Sequence, residues 1–379
     1  MGKLFEKLIH SRLKYETDEK NIIPNIQFGF RNGLSTNHQL ARVAQIIEMG
    51  FENKKYTTSV FLDVAKAFDT VWIEGLKYKL NRLGLPYYLL RILLSFLNNR
   101  TFCTRVNGTT STTRNIKAGV PQGSVLSPIL FNIYMHDIPI STMHEKAMFA
   151  DDLMILTQNE NLEDAIEQLQ RSTDTLCKWL EKWCIRLNES KCEAKIFTLK
   201  RYRHPPEICI NEVNITWNPS DKAVKYLGVY LDQRLTWSYH INYRLNLGYT
   251  RLRQLYPLIN RNSTMKVQCS LLLYKSLIRP LIMYACQVWF NTTATNFKKL
   301  QTLQNKILRI ITNAPWFVRN RQIHNELKME TIKMYAKRLT KKFYTSISNC
   351  DNIKVFDIGK KEIHTRLKRR LPQDLIQEF

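Results

Sequence analysis

Two adjacent carboxylates interrupt one of the most apolar stretches of this chain. Residues 147–157, AMFADDLMILT, are two short apolar runs on either side of Asp151-Asp152. Apolar runs of this length bounded by turn residues are buried strands. A pair of charges cannot follow them into a core without partners. A β-hairpin with the acids at its tip satisfies both demands. Residues 57–64, TTSVFLDV, are β-branched and apolar and reach an acid at Asp63. Two such strands side by side in one sheet would bring three carboxylates to one end of it.

Around these strands the pattern reads as mixed helix and sheet. Leu76, Leu80 and Leu83 recur at helical spacing, and Gly84-Leu85-Pro86 stops that helix; a second runs to about Asn98. Residues 101–117 read as a hairpin turning at Asn107-Gly108. Gly119 to Gly123 is a loop, and Ser124–His136 is expected to be helical. Leu162, Ile166, Leu169, Thr173, Leu176, Leu180 and Trp183 form one apolar stripe, with Glu163 and Asp164 where a helix dipole favours acids. Strands are expected near 193–199 and 223–231. Beyond that, residues 240–345 read as helices with Tyr, Trp, Lys and Arg interleaved, and the boundary falls near 235–240. No internal repeat or low-complexity segment stands out.

Charge separates the two halves. Residues 1–199 hold 25 basic and 21 acidic side chains, whereas 200–379 hold 32 and 11, and no acid occurs between Asp232 and Glu326. A solvated surface mixes both signs, so the second half points to a polyanion, RNA or DNA. The eight cysteines (Cys103, Cys177, Cys184, Cys192, Cys209, Cys269, Cys286 and Cys350) show no C-x2-C spacing, and no signal peptide accompanies them. They are expected to be buried, reduced thiols of an intracellular protein. The apolar stretches Leu85–Leu97 and Leu271–Phe290 are broken by Arg91, Lys275, Arg279 and Pro280 and read as core helices, not membrane spans.

Carboxylates gathered from separate strands suit phosphoryl transfer to a 3′-hydroxyl, which uses two divalent ions about 3.5–4 Å apart. Mg2+ takes oxygen ligands and keeps several waters, so two or three carboxylates suffice. On carboxylates alone, an acid at a strand end also reads as a solvated turn residue.

The surrounding segments go further. QFGFRNGLSTNHQL (27–40), VFLDVAKAFDTVW (60–72), AGVPQGSVLSPILFNIYMHDIP (118–139), MFADDLMIL (148–156), WCIRLNESKCEAKIF (183–197) and KYLGVYLDQRLTW (225–237) together resemble the reverse transcriptases of non-LTR retrotransposons, and among them the insect jockey-like group. SLIRPLIMYACQVWF (276–290) and LQTLQNKILRIITNAPW (300–316) resemble the region C-terminal to the polymerase in that group. The resemblance implies an α+β right-hand polymerase. Residues 1–235 would be partial fingers and palm, 236–320 an all-helical thumb, and 321–379 a basic helical C-terminal extension. It also implies an RNA-directed DNA polymerase with two Mg2+ ions, or Mn2+ in their place. The partners would be an RNA template (the element's own RNA), a DNA primer and dNTPs, in the nucleus or cytoplasm and without a membrane.

The implied roles fall on single residues. Asp63 and Asp151 match the metal-binding aspartates, and Asp152 the second acid of the turn. Phe68 matches the aromatic under the sugar that leaves no room for a 2′-hydroxyl; from spacing alone it reads as a core residue. Gln122 and Gly123 match the P-Q-G loop at the nucleotide, and Arg31 is the remaining candidate contact to the triphosphate. Lys191 matches the lysine that protonates pyrophosphate. Lys195 is its rival, and either also reads as a surface lysine. Tyr226, Leu227 and Gly228 match the hairpin that grips the primer end.

The chain departs from the pattern in starting, at Met1-Gly2-Lys3, without the preceding finger strands and endonuclease. The expected alternative is therefore a truncated, inactive relic that only binds RNA or DNA. An RNA-dependent RNA polymerase is disfavoured by Phe68 and by an Ala150-Asp151-Asp152 turn in place of Gly-Asp-Asp.

Overall fold

The computed structural model describes residues 1–140, 144–203, 205–347, 355, 358 and 371–377. The chain divides into two compact units. Met1–Gln39, Lys55–Ile196 and Lys200–Asn218 form the first; Leu40–Lys54, Phe197–Leu199 and Pro219–Phe379 form the second. Cys350 and most of the expected C-terminal extension beyond residue 347 lie outside the described residues.

The first unit opens with α1 (Gly2–Glu19), which buries Ile9, Leu13 and Thr17 at four-residue spacing. α2 (Thr36–Glu52) starts here and continues into the second unit. Then come β1 (Tyr56–Asp63), α3 (Ile73–Arg82) and α4 (Tyr87–Leu97), with Gly84 at φ 61° in the stop between the helices. Four two-residue strands, β2 (Thr101–Phe102), β3 (Arg105–Val106), β4 (Thr109–Thr110) and β5 (Arg114–Asn115), make the exposed hairpin. Its tip, Asn107-Gly108, has both φ angles positive (48° and 86°), the type I′ requirement. α5 (Ser127–Tyr134), β6 (Glu145–Phe149), β7 (Asp152–Asn159), α6 (Leu162–Lys182), β8 (Glu193–Phe197), β9 (Ile208–Ile210) and β10 (Val213–Ile215) complete the unit. α5 is shorter than the expected 124–136, because Ser124 to Leu126 are spent closing the preceding loop.

The central sheet has the order β6-β7-β1-β8. β1 and β7 pair antiparallel from Tyr56 opposite Asn159 to Asp63 opposite Asp152. Both faces of β1 are covered, so it reads as a continuous apolar run instead of an alternation. Its few polar side chains are bonded. The Thr157 hydroxyl donates to the Ala165 carbonyl of α6 at 2.7 Å, and the Thr58 hydroxyl, 2.6 Å away, donates to Thr157 Oγ1. α6 buries the expected stripe, and Asn161 caps it by accepting the Glu163 N–H at 3.0 Å. Lys79 of α3 is nearly fully buried. Its ammonium sits 3.6 Å from the Trp183 ring centroid and donates to Asp137 and to the Tyr134 carbonyl, both at 2.5 Å.

Beyond Pro219 the second unit continues with the hairpin β11 (Val224–Tyr226) and β12 (Val229–Leu231), so the strand expected over 223–231 is two strands that turn at the hairpin expected around Tyr226-Leu227-Gly228. Leu227-Gly228, at φ 44° and 77°, folds the segment back on itself. Asp232 then accepts the N–H groups of Thr236 (2.9 Å) and Trp237 (3.0 Å), setting the start of α7 (Ser238–Ile259). α8 (Val267–Leu273), α9 (Arg279–Ile282), α10 (Cys286–Trp289), α11 (Ala294–Thr312), α12 (Asn320–Glu326), α13 (Ile332–Ile347) and α14 (Asp374–Gln377) follow. The apolar stretch Leu271–Phe290 is not one core helix. A π turn at Tyr274–Ile278 precedes Pro280, which cannot donate a backbone bond, and Ala285 breaks the run at φ 55°. Trp237 and Trp289 are fully buried in this unit, and Phe297 lies 5.9 Å from Trp289.

Not all cysteines are buried: Cys103, Cys184 and Cys269 are exposed, because each lies on a hairpin, a helix end or an outer helix face. No described helix is long and apolar enough to cross a membrane.

Candidate active site

The register of β1 and β7 sets the site. Asp63 is the last residue of β1 and stands opposite Asp152, the first of β7, so both side chains leave the same face of the sheet. Asp151 occupies the two-residue turn with Ala150, since Phe149 pairs directly with Asp152. Asp152 is open to solvent but crowded by protein atoms. That desolvation, with the charges of Asp151 and Asp63, pushes its carboxyl up to about 6. Lys191 brings its ammonium to 3.5 Å from Asp63 and stays largely exposed. Its segment is held by the Asn188 N–H donating to the Asp63 carbonyl at 2.8 Å. Lys195, the rival lysine, is fully buried in β8, and its ammonium donates to the Asn218 carbonyl at 3.4 Å.

Among the described residues, no three His, Cys, Asp or Glu side chains already close on one point as a metal cage. An open set of mutually repelling carboxylates still fits Mg2+. That ion keeps several waters and takes one or two carboxylates together with the oxygens of a bound phosphate.

The acidic turn rests on a residue that motif reading passed over. Gln27 is buried, and its side-chain oxygen accepts the N–H of Ala150 (2.9 Å) and of Gly29 (2.8 Å), while its amide donates to the Ala150 carbonyl (3.2 Å). Ala150 sits at φ 58°, where an L residue is strained, so the clamp holds the turn that carries Asp151. Gly29 is needed for the approach itself, since a Cβ there would lie 2.2 Å from the Ala150 nitrogen. Asn132 donates to the Gly29 carbonyl at 3.0 Å. The available signal was a glutamine opening an otherwise apolar Q-F-G-F segment.

Phe68 is half-buried. It stacks on Phe131 (5.0 Å, 21°) and meets Phe30 edge-on (5.8 Å, 87°). The loop with Gln122 and Gly123 is docked on the segment around Phe68: the N–H groups of Gly119 and Val120 donate to the Val71 and Phe68 carbonyls, both at 2.8 Å. Gln122 donates to Asp69 at 2.8 Å. Gly123 has open space around it, so its φ of 86° and not crowding calls for glycine. Glu6 of α1 accepts the Ser124 hydroxyl (2.7 Å) and the Val125 N–H (2.6 Å), bonds that hold its own carboxyl below the usual range. Arg31 donates to the Pro24 carbonyl at 3.3 Å.

Tyr226, Leu227 and Gly228 belong to the second unit. There the Tyr284 hydroxyl donates to the Leu227 carbonyl (2.9 Å) and Arg244 to the Gly228 carbonyl (2.6 Å). Arg244 also lies 4.6 Å from the Tyr284 ring centroid. His240 is buried beside this hairpin, accepts the Tyr230 N–H at 3.3 Å, and is pushed down to about 3 by burial and by Arg244.

The sequence profile described as reverse transcriptase (RNA-dependent DNA polymerase) matches residues 1–231. The chain is 36% identical over 99% of its length to the probable RNA-directed DNA polymerase from transposon X-element of Drosophila melanogaster, covering 41% of that protein. It is 35% identical over 90% of its length to the transposon BS polymerase of the same species (38% of that protein). It is also 35% identical over 99% to the mobile element jockey polymerase (42%). It therefore spans about two fifths of these relatives. Among solved structures, apo telomerase from Candida tropicalis superposes with TM-score 0.40 and 13% identity over 94% of this chain and 59% of that one, a likeness too loose to carry an argument. The profile and the identities agree: the chain belongs to the reverse transcriptase (RNA-dependent DNA polymerase) family, and the relatives it resembles here are the polymerases of the X-element, BS and jockey transposons.

Proposed function

We propose that the protein is an RNA-directed DNA polymerase that adds dNTPs to a primer 3′-hydroxyl on an RNA template. The observation that carries this reading is the register that sets Asp63 opposite Asp152 with Asp151 next in the turn and the Lys191 ammonium 3.5 Å from Asp63. Asp63, Asp151 and Asp152 would hold two Mg2+ ions, or Mn2+, which when bound activate the hydroxyl and neutralise the triphosphate. Lys191 carries a proton to the departing pyrophosphate. Phe68, backed by Phe131, walls the sugar pocket against a 2′-hydroxyl. Gln122, Gly123 and Arg31 meet the nucleotide, and the Tyr226-Leu227-Gly228 hairpin holds the primer end. Residues 1–235 act as partial fingers and palm, 236–320 as thumb and 321–379 as extension. The element's own RNA is the template, and the setting is intracellular, in the nucleus or cytoplasm.

Primer extension on poly-rA with Mg2+ tests this reading. Asp63→Asn and Asp151→Asn should each abolish it while leaving the fold intact by circular dichroism. Comparable activity in Asp151→Asn would overturn the assignment. Phe68→Ala should admit ribonucleotides, since a pocket that rejects by clash loses that rejection when its wall is removed. Unchanged dNTP/rNTP discrimination would return Phe68 to the core.

A further inference from the structure

On the second unit, the loop after α11 holds two aromatic side chains out in water. Trp316 is 89% exposed and Phe317 68%, with their rings edge to face at 6.0 Å and 82°. The loop that carries them is tied down. Asn313 ends α11 at φ 48°, and the Ala314 N–H returns to the Arg309 carbonyl at 3.2 Å. The Arg309 guanidinium then donates to Asn320 (2.9 Å), to the Pro315 carbonyl (3.1 Å) and to the Val318 carbonyl. Holding large apolar surface in water is unfavourable, and a guanidinium committed to doing so marks a surface meant to be covered.

The surroundings say by what. The loop borders a cleft of about 550 Å3 whose walls carry Arg261 and Lys306 beside Thr302 and Asn313. Arg319 at the end of the loop and Arg321 in the first turn of α12 are both exposed. No acid lies between Asp232 and Glu326 to neutralise these cations. An apolar protein knob would leave the cations unanswered, and an acidic peptide would leave the rings uncovered. A nucleotide has both a flat apolar face and a phosphate. A duplex hides its base faces in its own stack, whereas an unpaired strand offers them.

We propose that Trp316, Phe317 and the adjoining basic cleft form a binding site for unpaired RNA. Successive bases stack on the two rings, and the flanking phosphates are met by Arg261, Lys306, Arg319 and Arg321. Thr302 and Asn313 supply hydrogen-bonding groups for the 2′-hydroxyl that separates RNA from DNA. The site reads no sequence, because every base has a stacking face. It shares no residue with the carboxylate site.

Fluorescence anisotropy of the full chain in EDTA, where no extension occurs, tests the proposal with labelled rU12, dT12 and a 12-base-pair duplex. Trp316→Ala with Phe317→Ala should weaken rU12 binding about tenfold or more and leave duplex binding within about twofold. Trp316→Phe with Phe317→Tyr should retain most of the affinity. Arg261→Gln with Lys306→Gln should lower the salt slope by about 0.7 for each phosphate that is no longer neutralised. Unchanged rU12 binding in the double alanine variant, or an equal loss for the duplex, would overturn the site. So would loss of self-association with RNA affinity intact, which would assign the surface to a second copy of the chain. Equal affinity for dT12 and rU12 in the wild type would overturn the choice of RNA. Primer extension, scored separately, bears only on the polymerase reading.

Discussion

Each unit offers a hairpin tip in a left-handed conformation, and the two are held by opposite chemistry. In the first, a neutral amide does the holding: Gln27 bonds both backbone groups of Ala150. In the second, a cation and a phenol do it: Arg244 and Tyr284 bond the carbonyls of Gly228 and Leu227. The difference reflects the groups that each tip presents. Beside Asp151, a guanidinium would pair with the carboxylates and compete for the charge that a metal ion needs. The Gly228 tip presents carbonyls and no carboxylate, so a cation has nothing to compete for there. The first unit gathers its acids at the tip, with one ammonium, that of Lys191, 3.5 Å from Asp63. The second carries a long stretch without acids, 233–325, whose charge is wholly positive.

Mutating the two clamps would break this comparison most sharply. Gln27→Ala frees a strained turn one residue from Asp151, and primer extension should drop about 100-fold in kcat, the scale on which small misplacements of reacting groups act. Arg244→Ala should instead raise the KM for primer–template with a smaller change in kcat. A Gln27→Ala enzyme that loses only primer affinity would show that the amide does not hold the acidic turn.

Acid should push the two units in opposite directions. His240 is held neutral in the fold, at about 3, whereas an unfolded histidine takes up its proton near 6.5. As pH falls below 6.5 the unfolded state binds more protons than the folded one, and the second unit loses up to about 1.4 kcal/mol per pH unit until pH 3. The carboxyl of Asp152 is raised to about 6, so as pH falls from 6 toward 4 the folded first unit binds the extra proton and gains stability. Hydrogen exchange between pH 7 and 4.5, corrected for intrinsic rates, should show the second unit opening first. His240→Gln should flatten its response, and an unchanged pH profile in that variant would refute the assignment. Metal binding reads the same carboxyl: below pH 6 a proton must leave Asp152, so Mn2+ affinity by titration calorimetry should fall up to about tenfold per unit.

Salt distinguishes the units on a smaller scale. Neutralising exposed Arg253 and Lys266 should cut the slope of log affinity for primer–template against log salt by up to about 0.9 each. Neutralising exposed Arg171 and Lys178 of the first unit should leave it unchanged. Equal changes would mean that the charge asymmetry is not what binds nucleic acid. The smallest effect concerns Asp152→Asn. In metal-free buffer at pH 7.5 it should raise Tm by about 1–3 °C, because it relieves repulsion in a partly solvated cluster. A lower Tm would place Asp152 in a stabilising interaction instead.

Much of the fold was legible along the chain wherever the cause is local. The I′ turn at Asn107-Gly108, the stripe of α6 and the strand reaching Asp63 follow from periodicity and turn chemistry within a few residues. Legibility failed where a distant partner decides. Pro280 in Leu271–Phe290 is visible in the sequence, yet the helical run passes through it to Ile282 and breaks at the left-handed Ala285, which no local pattern announces. Lys191 matches the expected lysine along the chain, and Lys195 stands close enough to rival it. The fold puts the first ammonium beside Asp63 and buries the second under Asn218.

The sequence by itself determined the inventory: strands that end in acids, a helical half without acids from 233 to 325, and the segments that mark a reverse transcriptase. These are properties of composition and short-range order, and one chain displays them without folding. Only the tertiary structure decided how they meet. The pairing of Asp63 with Asp152 and the amide of Gln27 reaching across 123 residues to Ala150 depend on contacts between surfaces that the local pattern leaves unpaired. A hydrogen bond between distant residues leaves no period in the chain, so its partners become visible only when the backbone brings them within about 3 Å of each other.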